Sequence, residues 1–298
     1  MSDYRYEAYG LTISSEIELP ELKTSECVPD IFIRFGEAKK ALENVDKFGI
    51  RFQANQREFV LNLEQIASFY VKEGTEIVIK PDPNAEERDI RIFLLGSVFG
   101  ALLHQRGHFV LHASTVLTPK GALAVSGVSG AGKSTLISAL QREGYKIISD
   151  DVTLVDCIEK QPPHVLPGLS RVKLWQDSAD KLGKAYSEDT AIRKNINKFN
   201  IDVELHNAST ELKHIIILNT YNNDTVEYDE IKGFDKINAL IQNTFRFIFL
   251  SDEQKKRHLS QCGAISSHVK MYKMTRPRKG FTLKEQVEIV KGILNEDE

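Results

Sequence analysis

Eight residues constrain this chain more than any others: Gly127 to Ser134, reading GVSGAGKS. They match G-x-x-x-x-G-K-[ST] at every position, between an apolar run suited to a buried strand (Ala122 to Val125) and a helix-forming run (Thr135 to Arg142). Gly127, Gly130 and Gly132 open backbone conformations that other residues avoid. Successive N–H groups of Ser129, Gly130, Ala131, Gly132, Lys133, Ser134 and Thr135 can then converge on phosphate oxygens. Lys133 supplies a point charge for the β- and γ-phosphates, and Ser134 a hydroxyl for a magnesium ion. The positive end of the following helix faces the same anion. The pattern predicts a strand–loop–helix unit that holds a nucleotide, with ATP and Mg²⁺ as the implied ligands.

Gly144 reads as the helix stop and Tyr145 to Ser149 as the next strand, which ends in Asp150-Asp151. A right-handed crossover brings this second strand's C-terminus to the sheet edge that carries the loop. An Asp-Asp turn is often only a solvated surface turn, but here the topology aims the pair at the triphosphate. One carboxylate can hold Mg²⁺ while the other takes a proton from an attacking hydroxyl.

The rest of the composition excludes more than it suggests. A net charge of −3 over 298 residues gives no basic field for nucleic acid. Cys27, Cys157 and Cys262 are scattered and lack C-x-x-C spacing, so neither a disulfide framework nor a zinc site is expected. The opening MSDYRYEAYG has no basic stretch followed by an apolar core, and the most apolar run, Phe93 to Leu103, is too short to span a bilayer. The expectation is a cytoplasmic protein without membrane or nucleic-acid partners.

Short strand-like pieces fill residues 1–84: Tyr4 to Ser14, Ile31 to Phe35, Phe59 to Leu63, Phe69 to Lys72 and Ile77 to Lys80, with Gly74 in a hairpin turn. They predict a small, mainly antiparallel β-rich domain. Pro81-Asp-Pro-Asn84 marks the boundary, and residues 85–298 are read as the nucleotide-binding domain. A core helix is expected from Ala85 to about Gln105, since Ile90, Phe93, Leu94, Val98, Leu102 and Leu103 recur at helical spacing.

Phe109 to Leu117 and Ala122 to Val125 flank Thr118-Pro-Lys-Gly121, a hairpin signal. With Pro119 and Lys120 as the loop, residues whose numbers sum to 239 face one another, which sets His112 opposite Gly127. A histidine there is a candidate proton relay or orienter for an Asp base; a strand histidine satisfied by backbone is the ordinary alternative.

His112, fifteen residues before GVSGAGKS, and Asp150-Asp151, the first of them twenty-three residues after Gly127, resemble the catalytic core of bacterial HPr kinase/phosphorylase. That family phosphorylates a serine hydroxyl and shares its nucleotide fold with ATP-dependent phosphoenolpyruvate carboxykinases. The likeness is close from His112 to Val155. It implies an α/β fold of the HPr kinase/phosphoenolpyruvate carboxykinase type, a general base and a magnesium ligand divided between the two aspartates, and His112 assisting the base. Asp150 is placed as base, and Asp151 with Ser134 on the metal. The resemblance also implies a homo-oligomer.

The family's Glu- and Gly-rich segment after the Asp pair is replaced here by LPGLSRVKLWQDSADKLG, Leu166 to Gly183. That segment, the early YGLTISSEIELPEL and the late VKMYKMTRP resemble instead the HPr kinase-like kinases found with lasso-peptide biosynthesis genes. Those enzymes phosphorylate the C-terminal serine of a precursor peptide. The implied function is ATP- and Mg-dependent transfer to a serine on a small peptide. A free-serine or other metabolite kinase, a carboxykinase-like enzyme and a nucleotide-sensing module stand as alternatives.

Basic residues elsewhere are candidate substrate contacts. Arg171 shares a strand face with Lys173 and follows Pro167-Gly168 back toward the active edge, where an arginine can stabilise the transferring group. Arg193, Lys194 and Lys198, and Arg276, Arg278 and Lys279, are two further clusters able to hold a peptide carboxylate. His214 to Asn219 reads as a buried strand, Phe245 to Leu250 as a strand or part of a core helix, and Phe281 to Leu294 as an amphipathic helix.

Overall fold

The computed structural model describes residues 3–157, 161–169 and 206–296, and the backbone alone of 171–175, 191–193 and 196–202. It is a mixed α/β structure with two large mixed sheets. Contacts divide the chain into two compact units, the first comprising Met1–Val110, Ile192–Ile196 and Thr244–Ser260, the second Leu111–Ala191, Asn197–Asn243 and Gln261–Glu298.

The first unit is built on nine strands: β1 (Tyr4–Ala8), β2 (Leu11–Ser15), β3 (Lys23–Thr24), β4 (Ile31–Phe35), β5 (Lys47–Phe48), β6 (Phe52–Ala54), β7 (Glu58–Leu63), β8 (Ala67–Lys72) and β9 (Glu76–Pro81). Their order is β3-β1-β2-β4-β9-β8-β7-β6-β5. All pairings are antiparallel except β2 with β4 and β4 with β9. Alternation sends Ile13, Ile31, Ile33, Phe59, Phe69, Ile77 and Ile79 into a dry core. The hairpin from β8 to β9 turns through Glu73 and Gly74, both at positive φ.

The expected helix forms as α1 (Glu87–Phe93), a π-helical turn (Leu94–Val98) and α2 (Phe99–Gln105). Ile90, Leu94, Val98 and Leu102, four apart, are all buried. Phe245 to Leu250 is neither strand nor long helix. Arg246 takes φ +53, which interrupts any regular run, and only a 3₁₀ turn follows at Phe247–Phe249. Its Phe249 ring packs 4.7 Å from the rings of Phe52 and Phe59.

In the second unit, β11 (Ala113–Thr118) and β12 (Gly121–Ser126) form the hairpin in the expected register, from Ala113 opposite Ser126 to Thr118 opposite Gly121. The short β10 (Phe109–Leu111) precedes them. After β12 come the glycine-rich loop, α3 (Lys133–Arg142) and β13 (Lys146–Ser149). The chain passes Gly144 at φ +97 between helix and strand. Strand β13 pairs antiparallel with β11, as β11 does with β12, so β12 and β13 run the same way and end on the same edge. Beyond lie β14 (Thr153–Asp156), β15 (His164–Leu166) and the backbone strands β16 (Arg171–Trp175), β17 (Ala191–Arg193) and β18 (Ile196–Asp202), of which Ile192, Arg193 and Ile196 group with the first unit.

The long β19 (Thr210–Tyr221) is parallel to β12 on one side and to β21 (Lys270–Pro277) on the other; β20 (Glu227–Ile231) pairs with β21. Among the described residues the remaining α-helices are α4 (Phe234–Gln242), α5 (Asp252–His268) and α6 (Leu283–Asn295). Leu136, Ile137 and Leu140 of α3 and Val287, Val290 and Ile293 of α6 close one core with Val125, Ile216, Leu218 and Met274 of the sheet. Among the described residues no helix is long and apolar enough to cross a membrane.

Candidate active site

The C-terminal ends of β12, β13, β19 and β21 share one edge, and the glycine-rich loop springs from β12 there. Parallel strands present ligand sites at that edge. Gly127 and Gly132 are required by geometry. Gly127 has φ +135, and a Cβ on it would press into the Leu218 carbonyl oxygen, so the loop enters flush against β19. Gly132, at φ +107, is the residue from which α3 begins; Gly130 also takes positive φ. Ser129 and Gly130 lie exposed at the loop tip, Ala131 is buried, and Ser134 and Thr135 are half-buried on the first turn of α3.

Lys133 is buried, and its ammonium donates to the carbonyls of Gly127 (2.9 Å) and Val128 (3.3 Å) and contacts His112 Nε2 at 3.1 Å. An ammonium only donates, so Nε2 accepts and the proton of the neutral ring sits on Nδ1. Nδ1 then donates to the backbone oxygen of Asp151 at 2.9 Å, with the Asp151 carboxylate Oδ1 3.5 Å away. Burial first, and the Lys133 charge second, hold the His112 pKa below its ordinary value against the opposing pull of Asp151. The imidazole is therefore neutral at pH 7.

The two aspartates face different partners. Asp150 is only 2% exposed, and its Oδ1 accepts hydrogen bonds from Ser134 Oγ (3.1 Å) and from fully buried Ser114 Oγ. Asp151 occupies the middle of a three-residue turn closed by Val152 N–H to Asp150 O (2.8 Å), at φ +67. Such a turn is rare and strained, and Asp is among the few side chains that accept the left-handed region. The turn points consecutive carboxylates to separate neighbours, Asp150 to Ser134 and Asp151 to His112.

A layer of buried hydroxyls holds these pieces. Thr153 Oγ1 donates to Ala113 O (2.9 Å), so its lone pairs accept from Thr115 Oγ1 (2.9 Å) and Ser149 Oγ (2.7 Å). Ser126 Oγ bonds His112 O (2.8 Å) and Asn243 Oδ1 (3.0 Å), while Asn243 O accepts the His112 N–H (2.8 Å). Asn243 follows the last turn of α4, and its Nδ2 donates to Ala239 O at 2.8 Å.

Of the residues singled out from sequence, Lys133, Ser134, His112, Asp150 and Asp151 come together here around the loop. Arg171 begins β16, opposite Asp202 in the backbone register, and its side chain lies outside the described residues, as do those of Lys173, Arg193, Lys194 and Lys198. Ser114, Ser126, Thr153 and Asn243 escaped sequence reasoning. The one sequence signal was at Asn243, a residue type common just after a helix.

The donors around Ser134 suit magnesium. A hydroxyl and a carboxylate are hard oxygen ligands of the kind Mg²⁺ takes together with phosphate oxygens and water. Among the described residues no group of three or more His, Cys, Asp or Glu is placed to hold a metal.

No family model matches the chain, and no curated protein does. Among solved structures, the HPr(Ser) kinase/phosphatase from Coxiella burnetii aligns with 63% of this chain and 93% of its own, at 13% identity and a TM-score of 0.29. A likeness that slight says nothing about what this chain does.

Proposed function

We propose that the chain transfers the γ-phosphoryl group of ATP to a serine hydroxyl. The supporting observation is one constellation: a G-x-x-x-x-G-K-S loop whose lysine touches His112, with Asp150 on the loop serine and Asp151 on that histidine. The acceptor put forward is the C-terminal serine of a small precursor peptide, which rests on the sequence resemblance alone.

In this reading the loop amides and Lys133 bind the phosphates. Ser134 and Asp150 would hold the magnesium ion, because the two already share a hydrogen bond. When bound, the ion would supply charge neutralisation for the transferring phosphates. Asp151 takes the proton of the attacking hydroxyl, the new O–P bond forms as the bond to the β-phosphate oxygen breaks, and ADP leaves with that electron pair. His112, neutral and donating to Asp151 O, orients the base and does not act as an acid. This assignment exchanges the roles given to the two aspartates on the strength of the resemblance.

Calorimetric titration with Mg·ATP, beside a transfer assay, tests it. Asp150→Asn should weaken Mg-dependent ATP binding about 10-fold or more. Asp151→Asn should bind as wild type and transfer nothing; Asn also tolerates the left-handed turn. If Asp151→Asn loses binding while Asp150→Asn keeps it, the roles revert. Wild type that binds no ATP removes the proposal altogether.

A further inference from the structure

Arg276 stands near the end of β21, and its position relates directly to the loop. The pairing of β12 with β19 ends at Ser126 opposite Ile217, whereas β19 and β21 continue together to Tyr221 opposite Pro277. The β19–β21 ribbon therefore overhangs the loop-bearing strand by four residues, about 13 Å at a strand's rise. Gly127 rests against Leu218 of this ribbon, and Gly132 faces Leu218 and the Arg276 guanidinium. Arg276 Nε donates to Ala131 O at 2.8 Å, and Nη1 donates to Pro277 O at 3.0 Å. A half-buried guanidinium that gives two of its five N–H donors to main-chain carbonyls is fixing backbone.

The backbone it fixes is the peptide between Ala131 and Gly132. In a trans peptide the C=O and the next N–H point in opposite directions. Drawing the Ala131 carbonyl out toward Arg276 turns the Gly132 N–H the other way, off the β19–β21 ribbon. Gly132 has no Cβ to obstruct this, and its nearest outward neighbour is the Arg276 Nε, 3.5 Å from where a Cβ would stand. The guanidinium also adds a permanent positive charge beside the loop.

We propose that Arg276 is a positioning residue of the phosphate loop, holding Ala131 O outward so that the Gly132 N–H is aimed at the β-phosphate of a nucleoside di- or triphosphate. The proposal rests on the nucleotide-binding reading of the site and deepens it: the loop is set for the β-phosphate, so nucleotides that lack one gain nothing from Arg276. From sequence, Arg276, Arg278 and Lys279 formed one basic cluster for a peptide carboxylate. The structure separates Arg276 from the other two, which are exposed.

The test is calorimetric titration of the full chain with ADP, ATP and AMP, for wild type, Arg276→Gln and Arg276→Lys. Both variants should lose about 10-fold in affinity for ADP and ATP, with AMP unchanged, since lysine keeps the charge but lacks the planar fork. In ¹⁵N-glycine-labelled wild type the Gly132 amide proton should move downfield when ADP is added, and in Arg276→Gln it should not. Equal ADP affinity in wild type and a folded Arg276→Gln overturns the proposal. So does a normal Arg276→Lys beside a weakened Arg276→Gln, which would leave charge alone as the cause. An equal loss for AMP overturns it too, as general damage. Failure of the wild type to bind any of the three nucleotides strikes the functional reading instead.

Discussion

Replacing Thr153 with valine keeps the side chain's branching and nearly its volume, and removes only the hydroxyl on which the buried layer under the aspartates converges. Thr115 and Ser149, both fully buried, then lose the acceptor they now reach at 2.9 and 2.7 Å. A buried hydroxyl left without a partner costs about 1–3 kcal/mol. Two of them predict a loss of about 2–6 kcal/mol, a large share of the ~5–15 kcal/mol that stabilises a typical domain. Thr153 is also two residues from Asp151, whose strained turn persists only because its surroundings hold it. Urea unfolding followed by circular dichroism measures the first effect. Thr153→Ser is the control: it keeps the hydroxyl, gives up one methyl and should lose only about 1 kcal/mol. A valine variant within about 0.5 kcal/mol of wild type, or a serine variant as weak as valine, would refute the network's role.

Other perturbations separate the parts. Gly127→Ala must place a Cβ against Leu218 O at φ +135, so a melting experiment should show a loss of roughly 1–3 kcal/mol, and ATP titration a marked weakening. Unaltered melting and binding would mean that the loop does not enter flush on β19. In the first unit His104 and His258 are buried, and burial pushes each pKa down to about 4. The unfolded chain takes up protons near pH 6.5 and the folded chain only near pH 4, so this stability is whole above 6.5 and falls as pH drops across that window, by about 3 kcal/mol per histidine. Denaturant melts at pH 7 and pH 4.5 should show the fall; a flat profile would mean that the rings sit in contact with water.

Much of the site was legible because its signals are local. The GVSGAGKS loop, its flanking strand and helix, and the Asp pair at the next strand's end all lie within thirty residues, and the hairpin register followed from one turn. The paired carboxylates' partners were not legible. Whether Asp150 or Asp151 meets Ser134 depends on the turn centred on Asp151, and nothing in the letters DD distinguishes them. Ser114, Thr115 and Thr153 read as ordinary strand residues, and their meaning arises only when β11 comes to lie against the segment after β13. Arg276 bonds a residue 145 positions away, across the strand β19 that separates β21 from β12. In the first unit, the parallel joins at β4 were hidden because alternation reports a strand's buried face and not its neighbour's direction. The aromatic run at Phe245–Leu250 looked regular, but Arg246 breaks it.

The most direct test of phosphoryl transfer is intact-mass analysis of acceptors incubated with the chain, ATP and Mg²⁺: free serine, a peptide ending in serine, and the same peptide amidated at its C-terminus. Gain of one phosphoryl mass on the serine-terminated peptide, absent with folded Lys133→Ala, is the predicted result. Phosphate on free serine alone would keep the chemistry and replace the acceptor. No modified acceptor while ATP is bound, or undiminished transfer by Lys133→Ala, would contradict the account.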